Sequence, residues 1–276
     1  MFLLIGVLIG LVLGLTGAGG SVFAVPLLIL LGGMNVNGAV GLSLGAVAIS
    51  ALYGSFRSWH SDLVLWPPTI ILAVTGALIA PLGKWLGNQL PDTLLLVSFN
   101  VLTLVIAVRM WRDAQRNPEH ANVVRASKAE HRRPEMLCML SPTGQFELKP
   151  RCISGLAIGG ALVGLLSGVF GVGGGFLIIP LLLFLSRIAM VQAVSISLLI
   201  ITLISSSGFI SHWLFSEQAG TPMDWFRLGW LALGGVGGMV AGQQISHHIA
   251  NARLQQVFAV GLVVLALVTL VSTLIR

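Results

Sequence analysis

Apolar runs too long and too uniform for a water-soluble core are what most restricts this chain. The stretches from Leu63 to Leu82 and from Val257 to Ile275 show no alternation of apolar and polar residues. They therefore read as helices and not as barrel strands, which alternate over roughly ten positions. A helix needs about 20 predominantly apolar residues to cross a bilayer. Lipid offers exposed backbone no hydrogen-bond partner, so only helical bundles or closed barrels span it. Charged residues make up 9% of the 276, against roughly a quarter in an ordinary soluble domain, which excludes a soluble protein. Nine basic and five acidic residues fall between Arg109 and Arg151, leaving two apolar blocks around one polar insert.

Apolar segments are predicted at 2–31, 38–59, 63–87, 92–111, 152–187, 190–215, 225–250 and 252–275. The first has no basic leader region and carries glycines where a signal-peptide cleavage site would fall, so it is expected to stay in the mature protein. The organisation expected is a first transmembrane repeat over 1–111, a basic linker over 112–150 and a second transmembrane repeat over 151–276. The linker contains Asn117-Pro118, Arg133-Pro134 and Ser141-Pro142 and many polar residues, and cannot bury a core of its own. Cys138 and Cys152 suggest neither a disulfide framework nor a metal site. The net charge of +6 is read as topology, because no basic stripe interleaved with stacking aromatics speaks for nucleic acid.

The repeats are visible at a shift of 154 residues, which lays Gly6, Gly10, Gly14, Gly17, Gly19, Gly20 and Pro26 on Gly160, Gly164, Gly168, Gly171, Gly173, Gly174 and Pro180. Ala39, Val40, Ser43, Leu44 and Trp59 fall on Ala193, Val194, Ser197, Leu198 and Trp213. Further on, a slip of eight residues is expected to pair Asp62 with Asp224 and Gly76 with Gly238. Glycines at every fourth position, as at 6, 10 and 14, form a helix face that another backbone can approach closely. The denser clusters, Gly17, Gly19, Gly20, Ser21 and Gly171, Gly173, Gly174, Gly175, are expected to break their helices, since each glycine costs up to ~1 kcal/mol in a helix interior. Paired glycine-interrupted segments at matching positions of two repeats point to a transporter's binding site. The free N–H groups after each break suit an anion.

The stretches Gly-Leu-Thr-Gly-Ala-Gly-Gly-Ser-Val-Phe-Ala-Val-Pro-Leu-Leu (14–28) and Gly-Val-Phe-Gly-Val-Gly-Gly-Gly-Phe-Leu-Ile-Ile-Pro-Leu-Leu (168–182), each followed by Ala-Val-x-x-Ser-Leu, resemble the duplicated signature of the TauE/SafE sulfite-exporter family. The resemblance covers nearly the whole chain apart from the insert. It implies a secondary transporter in a bacterial cytoplasmic (inner) membrane, moving a small organosulfur anion such as sulfite, a sulfonate or sulfoacetate, with no cofactor. The first copy departs from the second at Ser21 against Gly175 and at Thr16 against Phe170, so the halves need not contribute equally to a site.

Other polar groups have two readings each. Ser43 and Ser197 can donate to an oxyanion or bond their own helix carbonyls. Ser205-Ser206-Ser207 can line a cavity, with packing the favoured role. Arg57 can clamp a sulfonate through paired hydrogen bonds, or anchor a helix end beside Trp59. His212 can couple protons to transport, since an imidazole changes charge near neutrality, or sit at the interface beside Trp213. His247-His248 face different sides of a helix and make poor joint metal ligands.

Whether the broken segments cross the bilayer or re-enter stays open in the basic count, which puts twelve basic residues on the insert's side against three under either topology. The insert is cytoplasmic in both. Discontinuous crossing helices, with eight spans, are the preferred expectation. An anion channel, an intramembrane enzyme and an assembly factor are the alternatives to a transporter. No catalytic or nucleotide-binding spacing favours an enzyme. The partners expected are the anion and the lipid bilayer, with a homo-oligomer left open.

Overall fold

The computed structural model describes residues 1–17, 19–59, 64–116, 139–140, 146–147, 150–185, 190–218, 223–246, 260–264 and 266–269. Its helices are α1 (Phe2–Thr16), α2 (Gly20–Leu30), α3 (Val36–Trp59), α4 (Trp66–Gln89), α5 (Asp92–Arg116), α6 (Pro150–Phe170), α7 (Gly175–Leu185), α8 (Met190–Gln218) and α9 (Trp225–Ser246), with further helix within Val260–Thr269. In the insert, β1 (Met139–Leu140) pairs antiparallel with β2 (Phe146–Glu147). The protein is an all-α polytopic membrane protein. Val36–Trp59, Trp66–Gln89, Cys152–Phe170 and Gln192–Glu217 are each long and apolar enough to cross a membrane. Exposed Leu4, Phe56, Leu78, Leu162, Phe226 and Leu233 give the outside an apolar surface. Cys152, at the start of α6, is buried and disulfide-bonded, contrary to the sequence expectation; Cys138 lies outside the described residues.

Both glycine clusters interrupt their helices. Gly17 (φ 72°) and Gly171 (φ 69°) adopt the left-handed conformation that glycine reaches without strain. Their N–H groups donate to the carbonyls of Leu13 (2.7 Å) and Ser167 (2.8 Å), which closes α1 and α6. Pro26 and Pro180 lie within α2 and α7, and the helices continue past them to Leu30 and Leu185.

The chain then turns back, which overturns the expectation of crossing helices. Gly20 packs against Ile9 and Leu13 of α1, and Gly174 and Leu181 pack against Val163 and Gly159 of α6. On one continuous helix Ile9 and Gly20 would be about 16 Å apart at 1.5 Å per residue. Each broken segment is thus a helical hairpin.

The helix pairings give the symmetry. On α1, Gly6, Gly10 and Gly14 meet Leu231, Gly235 and Met239 of α9, so α1 and α9 run parallel. On α6, Gly160, Gly164 and Gly168 meet Leu72, Gly76 and Ala80 of α4 in the same sense. The stripes pack as expected, but each against the other repeat. Between α3 and α8, Gly41 meets His212, Leu44 meets Gly208, and the Ser55 and Thr202 hydroxyls are hydrogen-bonded at 2.9 Å. These repeat-related helices are antiparallel, so the axis relating them lies across the helices and the repeats are inverted. Segments that crossed instead of turning back would have made α3 and α8 parallel.

The same contacts correct the register. Gly76 faces the middle glycine of one stripe and Gly235 that of the other, so Gly76 is equivalent to Gly235 and not to Gly238. Trp66 then matches Trp225. The edge-to-face pairs Trp59–Trp66 (4.8 Å) and Trp213–Trp225 (5.7 Å) follow the same rule. Asp62 lies outside the described residues.

Candidate functional site

Each hairpin is held by the opposite repeat. Ser197 of α8 donates to the Gly17 carbonyl at 2.9 Å, sharing its proton with Val194 of its own helix at 2.8 Å. The mirror contact runs from the Ser43 hydroxyl of α3 to the Gly171 carbonyl. The α-carbons of Gly17 and Gly171 are pressed against Val194 and Val40, themselves a repeat-related pair. Both serines are fully buried, with their hydroxyls committed to the backbone of the breaks.

The hairpins meet at mid-depth. Val47, the twelfth of the 24 residues of α3, touches Gly173, and a Cβ on Gly173 would lie 3.5 Å from Ser21 Cβ. The first turns of α2 and α7 therefore converge near the centre of the bundle. The first four N–H groups of a helix have no partner inside it, and its positive dipole end favours an anion. On the α7 side the chain passes through Gly173 (φ 64°) and Gly174 (φ 67°) before the helix begins. Two buried hydroxyls flank this turn without a hydrogen-bond partner among the described residues, Ser205 Oγ against Gly173 and Ser167 Oγ beside Gly174. Buried polar groups are nearly always paired, which makes these two hydroxyls at one helix start the exception in this region. Their repeat-related positions are Ala51 and Leu13, so these hydroxyls belong to the second repeat alone.

Of the residues singled out in the sequence, Ser21 and Gly173 come together, with Gly19, Gly20, Gly174 and Gly175 adjoining them along the chain. Gly17 with Ser197 and Gly171 with Ser43 form the two clasps. Arg57 is exposed in the last turn of α3, far from the Ser21–Gly173 contact. His212 is buried against Gly41, lines a pocket near one end of the bundle, and has an Nδ1 without a partner among the described residues; it is no surface anchor. The sequence favours packing for Ser205 and does not single out Ser167. The Ser205-Ser206-Ser207 run was the available signal for the first, while a lone serine in an apolar helix gave none for the second.

An apolar-surfaced bundle of inverted repeats, with two broken helices meeting inside it, has the form of a multi-pass membrane transporter. Residues 2–269 match the family model described as sulfite exporter TauE/SafE. The chain belongs to that family of membrane transporters. It is 32% identical over 267 residues to a probable membrane transporter protein of Xylella fastidiosa (strain Temecula1), covering 95% of this chain and 90% of that one. A probable membrane transporter protein of Methanocaldococcus jannaschii, MJ0441, is 25% identical over 77% of this chain and 71% of its own length. The Bacillus subtilis protein YunE, also named a probable membrane transporter protein, is 24% identical over 82% of this chain and 84% of its own. No solved structure matches.

Proposed function

We propose that the chain is a secondary transporter that moves a small organosulfur anion, such as sulfite, a sulfonate or a sulfoacetate-like molecule, across a bacterial cytoplasmic membrane. The anion sits where α2 and α7 begin. It accepts from the N–H groups at the starts of α2 and α7, at Gly20 and at residues 173–175, and from Ser205 and Ser167, while the Gly19 N–H donates to Thr16 Oγ1 at 2.8 Å. The observation that carries this reading is the pair of unpartnered buried hydroxyls at the start of α7. Ser43 and Ser197 serve the site indirectly, by fixing the breaks at Gly171 and Gly17, and Arg57 anchors a helix end. The repeats 1–111 and 151–276 move relative to one another, and the linker 112–150 lies in the cytoplasm. Nine of the chain's 15 basic residues from Arg109 to Arg151 support that orientation through the positive-inside rule. His212 is the proton-coupling candidate. The reading contains no chemical step and needs no cofactor.

The test is uptake into proteoliposomes of labelled sulfite, sulfate, thiosulfate, acetate and a two-carbon sulfonate, with and without an imposed proton gradient. Saturable movement of sulfite or sulfonate in preference to acetate is the expected result. No movement of any sulfur anion would remove the substrate assignment.

A further inference from the structure

A second feature lies away from the hairpin contact, at the end of the bundle where α3 and α9 begin and α8 ends. There a pocket of about 280 Å³ is lined by Asn35, Asn37, His212, Ser216, Asp224 and Arg227 among others. Drug-sized ligands occupy roughly 300–1,000 Å³, so this one suits a small molecule. α3 serves as a ruler: Asn37 precedes Val47 by ten residues, about 15 Å of helix, so the pocket is distinct from the mid-depth site.

Charge in the pocket wall is unbalanced. Arg227 at the mouth is neutralised by Asp224 at 2.8 Å. Behind Asn37, however, Lys84 of α4 is 3% exposed, and its ammonium donates to Asn37 Oδ1 at 2.5 Å. Among the described residues it has no carboxylate partner. Buried charges are ordinarily paired, since leaving water without a counter-charge is costly. With Oδ1 turned to Lys84, the Asn37 amide has its N–H donors left for the pocket. His212, 5% exposed, lines the same space with Nδ1 unpartnered among the described residues. The scaffold does not require this charge: the repeat-related positions of Lys84, Asn37 and His212 hold Gln243, Val191 and Ser58.

We infer that this pocket is a docking site for a small free oxyanion of sulfonate or sulfate size, with Lys84 supplying the counter-charge and Asn37 and His212 the donors. It receives the anion at the end of the bundle opposite the insert. The site stands without the mid-depth assignment and occurs once per chain, because only one repeat carries its residues.

Calorimetric titration of the full chain in detergent with ethanesulfonate, and separately with sulfate, tests this. Asn37→Asp sets a carboxylate beside Lys84, cancelling its charge while giving it an ion-pair partner. This variant should bind the probe at least tenfold more weakly and melt no lower than wild type. Lys84→Gln should weaken binding to the same degree, and Ser205→Ala should leave this site intact. Wild-type affinity in Asn37→Asp and Lys84→Gln would overturn the inference, as would loss of all binding in Ser205→Ala. Failure of sulfonate and sulfate to bind, with saturable binding of phosphatidylglycerol that Asn37→Asp abolishes, would assign the pocket to lipid phosphate and likewise overturn it. Loss of uptake with the Asn37-sensitive site retained would count against the transport reading alone.

Discussion

At the residue scale, the hydroxyls divide into those that hold the backbone and those left for a ligand. Removing a hydroxyl that satisfies a buried carbonyl costs about 1–3 kcal/mol. Ser43→Ala should therefore lower the melting temperature of the purified protein. Ser197→Ala should lower it less, because its hydroxyl is already shared with Val194 of its own helix. Equal wild-type melting of both would deny the clasps any role. The two serines were legible in the sequence because they occupy matching positions. Their partners were not, since the bonds join residues 128 and 180 positions apart and cross between repeats. Lys84 and Asn37 were invisible as a pair for the same reason: hydropathy marks Lys84 as an oddity in α4 but says nothing of what faces it.

At the scale of elements, the glycine stripes are specific to one face. A methyl on Gly10 would be driven into the Gly235 carbonyl, whereas one on Gly237, also in α9, meets nothing within 4 Å. Gly10→Ala should separate α1 from α9 and cost on the order of 1–3 kcal/mol, the usual range for overpacking. Gly237→Ala should gain up to ~1 kcal/mol from helix propensity. Thermal unfolding in detergent compares them, and equal behaviour would dissolve the stripe. The spacing of four residues revealed the stripes and the glycine density revealed the breaks, because both are local properties of a helix. The direction taken after each break was hidden, since an apolar run has the same composition whether it crosses or returns. The slip between repeats is hidden in the sequence for a related reason: α9 carries Gly234, Gly235, Gly237 and Gly238 together, and only the facing helix shows which one matches Gly76.

For the whole molecule, inverted repeats place the two hairpin ends at one depth inside a shared wall. The antiparallel α3 and α8 make this testable without function. A Ser55→Cys/Thr202→Cys pair, built where the hydroxyls are 2.9 Å apart, should form a disulfide that keeps the halves joined after proteolysis in the insert ahead of Cys138; parallel repeats would leave them separable. The symmetry is broken where chemistry is expected, with Ser205 and Ser167 on one side only. The central claim, that an anion passes through the meeting point of the hairpins, is tested most directly by sulfonate uptake into proteoliposomes by the Gly19→Leu/Gly173→Leu double variant. Parallel measurement of its insertion and melting shows that the bundle has formed. Loss of saturable uptake in an inserted, folded variant is expected; wild-type flux would contradict the site.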